Sequence, residues 1–218
     1  MIPKIIHQVW IGPNKIPDHC KVFSKNMQRM NQGWKYILWD NLQSFHGPFK
    51  NDPVISKWKE LLGKHVAAPT IIAERIRFLA LYEYGGIYAD IDAAPIRPFD
   101  YLMKEVNPET EFFGGVKERQ DPGASELIMD CAFIGSSPKS LASKLCLEIL
   151  ERHIEDIRPS YCILFSHELL ELQNKAPSKI QSFDKEYFYD NKKTSKTIVL
   201  HDINHTRLWS WRNGKPIL

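Results

Sequence analysis

Tyr84-Gly85-Gly86-Ile87-Tyr88-Ala89-Asp90-Ile91-Asp92 is the stretch on which the reading of this chain turns. The glycine pair stops the element before it, and the residues after it alternate in the manner of a strand. On a strand, successive side chains point to opposite faces. Ile87, Ala89 and Ile91 then face one way, and Asp90 and Asp92 the other. Two positions along a strand lie roughly 6.6 Å apart. Carboxylates that close repel unless a proton or a cation lies between them. Oxygen ligands suit Mg²⁺ or Mn²⁺, which keep positions open for phosphate oxygens. A cation there would neutralise a diphosphate leaving group as its bond to a sugar breaks. The plain alternative is a strand end with two solvated aspartates, and Asp-x-Asp alone is a weak pattern. A buried strand does not normally finish on two charges directly after a Gly-Gly turn.

Upstream, Pro69 to Tyr84 reads as the strongest helix, with Ile72, Ile76, Leu79 and Ala80 in a stripe and Gly85-Gly86 as its C-cap. Glu74 and Arg77 are three apart and share a face. That helix is apolar almost all round, so a charged pair on it needs partners. A salt bridge supplies one; a polyhydroxyl substrate would be another. Further out, Ile5 to Trp10, Trp34 to Trp39, Phe112-Phe113, Cys131 to Ile134 and Ile198 to His201 read as strands. Asp18, Asp40, Asp52-Pro53 and Ser137-Pro138 mark helix starts. The helix after Asp18 carries Val22, Phe23, Met27 and Met30 on one side, and the one after Asp52 buries Ile55, Trp58 and Leu62. Tyr161 to Leu172 is a further helix. Strands alternating with helices imply an α/β layered domain, with ligands beyond the carboxyl ends of the strands. No boundary divides residues 1–218, so a single domain is expected.

The composition limits the alternatives. With 43% hydrophobic residues, the chain can bury a sizeable core. A net charge of +3 is too small to argue for nucleic acid. No apolar run approaches the roughly 20 residues that span a bilayer, and no signal peptide is visible. Cys20, Cys131, Cys146 and Cys162 form no C-x-x-C pair. A reduced, cytoplasmic location is the expectation, in a bacterial or a virus-infected host cytosol.

Ala73 to Phe78 followed by Leu81 to Asp92 resembles the Ser-Asp-x-x-Arg and Gly-Gly-x-Tyr-x-Asp-x-Asp block of the family 32 DxD glycosyltransferases. That family includes capsular-polysaccharide transferases and initiating mannosyltransferases, and the glucosyltransferase domains of clostridial toxins carry a related block. Ile2 to Gly12 is similar to the family's opening motif, and His205 to Trp211 to its closing one. Here Ala73-Glu74 stands where the family usually has Ser-Asp, which puts the donor sugar in doubt. The resemblance implies a GT-A-like fold, a central mixed and mostly parallel sheet flanked by helices. It also implies a nucleotide-sugar donor, a glycan or glycoprotein acceptor, Mn²⁺ or Mg²⁺, and retention at the anomeric carbon. On the same resemblance Val9 and Trp10 hold the base, Glu74 and Arg77 grip the sugar, and Asp90 and Asp92 serve ribose and metal. Ser210 and Trp211 would close over the phosphates. Asp130 is a weaker candidate for the sugar or acceptor side, with a plain turn aspartate as the alternative.

A metal bound by two carboxylates and a diphosphate has positions left, and a neutral imidazole is an acceptable ligand. His201 and His205 both follow the final strand; His205 is the choice here, because it opens the His-x4-Ser-Trp spacing. Two other classes of function remain in view. A glycoside hydrolase also uses two carboxylates, but normally from separate segments flanking one bond. A non-catalytic nucleotide-sugar or carbohydrate-binding module would bind a donor without transferring it.

Overall fold

A computed structural model of the chain describes residues 1–121, 124–155, 162–189 and 193–201. The first half runs β1 (Ile5–Val9), α1 (Asp18–Met30), β2 (Lys35–Trp39), α2 (Asn41–His46), α3 (Pro53–Lys59), α4 (Ala68–Tyr84) and β3 (Gly86–Ala89). Then follow β4 (Ala93–Pro95), α5 (Phe99–Met103), β5 (Phe112–Asp121), β6 (Ala124–Ser136), α6 (Leu141–Arg152), α7 (Cys162–Lys175), β7 (Ile180–Phe183) and β8 (Val199–His201). Among the described residues, no helix is long and apolar enough to cross a membrane.

The helix starts follow from side-chain capping. Asp40 accepts from the Gln43 amide at 2.9 Å, Asp52 from the Ile55 amide at 3.0 Å and Ser140 from the Ser143 amide at 3.1 Å. Ser140, not Ser137, is therefore the cap of α6. Helix α1 turns its Cys20, Ser24 and Met27 inward and leaves Val22 52% exposed, which corrects the face expected for Val22. Leu62 lies beyond the end of α3 and is only partly buried.

The main sheet has the order β2-β1-β3-β6-β5-β7. β1 pairs in parallel with β2 and β3, and β5 with β7; β6 runs antiparallel to both β3 and β5. The expected mixed, mostly parallel sheet is what forms. Both faces are covered. Ile87, Ala89 and Phe113 belong to one apolar layer, and Tyr88 and Phe112 to the other, against α4 and α6. Arg75, 4% exposed, ties α4 to its neighbours by bonding Asp52 at 2.8 Å, Glu151 at 2.6 Å and the Leu147 carbonyl at 2.9 Å.

The link from α4 to β3 explains the glycine pair. Gly85 has φ 63° and ψ −170°, and Gly86 has φ 109°. A Cβ on Gly85 would lie 2.6 Å from Pro138 Cδ, and one on Gly86 2.4 Å from the Ile5 carbonyl oxygen. No side chain fits in that turn. His7 braces it: Nε2 donates to the Gly85 carbonyl at 2.8 Å, and Nδ1 accepts from the Trp39 indole at 3.1 Å. Because indole only donates, the tautomer is fixed. Burial, with the nearby charge of Lys35, brings the His7 pKa down to about 4 against the opposing pull of the Gly85 carbonyl.

One expectation fails in an instructive way. The strand does not continue to Asp92; it stops at Ala89. The Asp90 amide donates to the Ala132 carbonyl at 2.8 Å, and the Ala93 amide turns back to the Asp90 carbonyl at 3.0 Å. Asp90 and Asp92 therefore flank a tight turn rather than lying along a strand. After it, β4 pairs antiparallel with β8, setting Ala93 opposite His201.

Candidate functional site

The turn after β3 and the end of β8 meet at three side chains. Asp90, Asp92 and His201 each offer a ligand atom within 4.8 Å of the others. His201 Nε2 lies 3.2 Å from Asp90 Oδ2 and 3.2 Å from Asp92 Oδ1. Burial works against a charged imidazole there, but hydrogen bonds to the two carboxylates win, and the His201 pKa is pushed up to about 10. With its proton, the imidazolium supplies the positive charge that the carboxylates need. Without it, the same Nε2 lone pair is a metal ligand. Two carboxylates and an imidazole form a donor set that suits Mn²⁺ and also accommodates Mg²⁺.

The other oxygen of Asp90 is committed elsewhere. Oδ1 accepts from the Tyr88 hydroxyl at 2.6 Å and from Arg77 Nη2 at 3.1 Å. Arg77 Nη2 also reaches the Tyr88 hydroxyl at 3.2 Å, Nη1 donates to the Cys131 carbonyl at 2.9 Å, and the guanidinium lies 4.3 Å over the Tyr88 ring. Burial raises the cost of the Asp90 charge, but Arg77, His201 and Tyr88 outweigh it and hold its carboxyl below the ordinary value. Oδ2 is left to face His201.

These groups line a cavity of about 220 Å³. Val9, the last residue of β1, and Trp10 after it form part of its wall. The Trp10 indole donates to the Asn14 carbonyl at 2.7 Å. Helix α4 reaches the wall through Thr70, Ala73 and Arg77. Glu74 is 3% exposed and contributes to the field that keeps Arg77 charged, after the larger contributions of Tyr88, Asp90 and Cys131. Two buried nitrogens at the cavity, Arg77 Nε and His201 Nδ1, have no hydrogen-bond partner among the described residues. A buried donor without a partner is costly, and a polar ligand would relieve it.

His205, Ser210 and Trp211 lie outside the described residues. Among the described residues, the histidine that the fold brings to the carboxylates is His201. Its only sequence signal was its place at the end of the last strand, because the β4–β8 pairing is not visible in either segment alone. Tyr88 was not anticipated, although it stands two positions before Asp90 in the same block. Asp130 is more than a turn residue: its Oδ1 accepts from the Ala132 amide at 2.8 Å, its other oxygen pairs with Lys117, and its carbonyl accepts from Tyr189 at 3.2 Å.

Residues 17–113, which include α4 and the turn with both aspartates, match the family described as "Glycosyltransferase sugar-binding region containing DXD motif". Those residues carry the DXD sugar-binding region of that glycosyltransferase family, on a little under half of this chain. Inositol phosphoceramide mannosyltransferase 1 of Schizosaccharomyces pombe is 30% identical over 125 residues, 52% of this chain and 36% of that protein. An uncharacterized glycosyltransferase of Acanthamoeba polyphaga mimivirus is 36% identical over 98 residues, 42% of this chain and 36% of that one. The matched stretch thus spans little more than a third of either relative. Among solved structures, the PaToxG glycosyltransferase superposes with a TM-score of 0.58 at 16% identity, over 81% of this chain and 70% of that one. A glycosyltransferase involved in glycosylation of the PBCV-1 major capsid gives 0.53 at 9% identity, over 93% and 95%. At such identities the likeness speaks for the fold, which is that of the GT-A glycosyltransferases.

Proposed function

We propose that this DXD glycosyltransferase transfers a hexose from a nucleoside-diphosphate sugar to a glycan or protein-linked acceptor, with retention and with Mn²⁺ or Mg²⁺ as cofactor. The observation that carries this reading is the convergence of Asp90, Asp92 and His201 beside Arg77 in one cavity. A divalent cation held by those three would supply positive charge to the diphosphate as the sugar bond breaks. Around it, each residue has a task that its geometry supports. Trp10 offers an aromatic face for the base. Arg77 directs a guanidinium edge, with its unbonded Nε, toward sugar hydroxyls or phosphate. Tyr88 holds Asp90 Oδ1, so that Oδ2 stays oriented toward His201. Glu74 supports the Arg77 charge, and its assignment to the sugar rests on the family block. Uridine is the first base to test and guanosine the second; relatives named as mannosyltransferases make mannose the first sugar. No carboxylate is required as a covalent nucleophile, so attack from the leaving-group face is the preferred route to retention.

Thermal shift with UDP-glucose, UDP-galactose and GDP-mannose, each with Mn²⁺ or EDTA, tests the reading. A donor at a hundred times its Kd stabilises by roughly 2.7 kcal/mol. That gain should shrink in EDTA; equal stabilisation in both would defeat the metal assignment. Asp92→Asn should cut turnover by several orders of magnitude with the fold intact. Binding without turnover in the parent protein would favour the binding-module reading, and metal-independent cleavage of glycosides would favour a hydrolase. Weaker Mn²⁺ binding in His201→Ala but not in His205→Ala would assign the third ligand to His201. The reverse would restore His205, and with it a role for Ser210 and Trp211 in covering the phosphates.

A further inference from the structure

Three of the four cysteines are gathered into one apolar layer by the fold, from β6, α6 and α7. Cys131 and Cys146 are buried, Cys162 is half-buried, and all are free thiols. The side chains of Cys131 and Cys162 are in contact: the interaction with Cys162 is the largest influence raising the Cys131 thiol's pKa, followed by burial. A second contact joins the same two elements: the Met129 amide donates to Ser166 Oγ at 2.8 Å. Ser166 is one helical turn after Cys162, and Met129 is two residues before Cys131. The register of α7 on β6 thus sets the approach of the thiols, and not a chance rotamer.

The same piece of β6 holds the site. The Cys131 carbonyl accepts from Arg77, and the Ala132 carbonyl accepts from the Asp90 amide. Here the β5–β6 register jumps, from Gly114 opposite Ile134 to Gly115 opposite Asp130. Residues 131–133 therefore bulge out of that ladder, and a bulge is a local disruption that yields more readily than paired strand.

We propose that Cys131 and Cys162 form a reversible disulfide, and that closing it loosens the hold of β6 on Arg77 and Asp90. The oxidant is a small-molecule disulfide of the glutathione class. Cys162, the more accessible thiol, loses its proton and attacks one sulfur of the oxidant. A mixed disulfide forms and one thiol leaves. Cys131 then loses its proton and attacks the Cys162 sulfur, releasing the second thiol. Two protein thiols become one disulfide, and the oxidant becomes two thiols. A disulfide brings its sulfurs to about 2.05 Å, closer than two thiols in contact, so Cys131 is drawn toward α7 and away from Arg77. The bond does not depend on the functional reading; its consequence for metal binding does.

The test incubates the reduced full-length protein with oxidised glutathione, alkylates the remaining thiols and maps the peptides. A Cys131–Cys162 cross-link, with loss of two hydrogens and reversal by dithiothreitol, is expected. A bridge from Cys162 to Cys146, or only a stable mixed disulfide with glutathione, would overturn the proposal. Hydrogen exchange then reads the coupling without any ligand. The Asp90 amide should exchange roughly tenfold faster in the cross-linked protein, as one weakened hydrogen bond implies. Unchanged exchange there would overturn the coupling. Mn²⁺ affinity should fall in parallel, and Cys162→Ser should respond to the oxidant in neither readout. If Mn²⁺ binds neither form while exchange changes as expected, the metal assignment fails and the switch stands.

Discussion

Acidification should destabilise this protein through His7, a buried histidine that braces the turn between α4 and β3. The ring is fully buried between Gly85 and Trp39, and its pKa falls from 6.5 to about 4. The sign follows from proton binding. Between those two values the unfolded chain takes up a proton that the folded chain refuses, so stability is present above pH 6.5 and is lost as pH falls toward 4. The full gap is worth about 3 kcal/mol, of which about 2 kcal/mol is lost by pH 5. His201 acts in the opposite sense. Its pKa is raised from 6.5 to about 10, so its contribution is fully present below pH 6.5 and fades as pH climbs through 10. Between pH 7.5 and 5 it returns about 1 kcal/mol, which masks part of the His7 effect. The difference between the parent and His7→Gln isolates His7, because both share the His201 contribution. Urea unfolding in EDTA at pH 7.5 and at pH 5 supplies the four free energies. The gap between the two proteins should narrow by about 2 kcal/mol on going to pH 5. A gap that stays constant with pH would refute the argument that His7 is held neutral in the fold.

Tyr88→Phe removes the hydroxyl shared by Arg77 and Asp90 and should weaken Mn²⁺ binding roughly tenfold with little change in Tm, read by metal titration and melting. Gly85→Ala places a Cβ against Pro138 at φ 63° and should cost about 3 kcal/mol or more, read by urea unfolding; a neutral result would mean the turn can relax. Asp52→Asn leaves Arg75 buried and poorly compensated between α3, α4 and α6, with about 3 kcal/mol of stability lost and Mn²⁺ affinity unchanged. Arg77→Met should reduce donor affinity and turnover more than Arg77→Lys, because a lysine keeps the charge but not the planar fork; equal losses would argue for charge alone.

The sequence alone determined the layered α/β class, the long helix α4 and its stop at Gly85-Gly86, and the acidic pair as the centre of interest. These are local matters: periodicity, capping chemistry and the φ values that only glycine accepts are written into neighbouring residues. The alternation that set Asp90 apart from Ile87 and Ala89 also held, since Tyr88 and Ile87 do go to opposite layers. Beyond Ala89 it failed, because the Ala132 carbonyl captures the Asp90 amide and the chain turns. Ala132 is on a strand 42 residues away in sequence, and no local pattern carries that bond. The short strands β4 and β7 are equally dependent on partners: three or four residues have too little intrinsic preference to announce themselves. His201 is the clearest case. Its neighbours in sequence gave no reason to prefer it to His205, and only the antiparallel pairing of Ala93 with His201 carries it to the carboxylates, where long-range hydrogen bonds decide both its charge and its use.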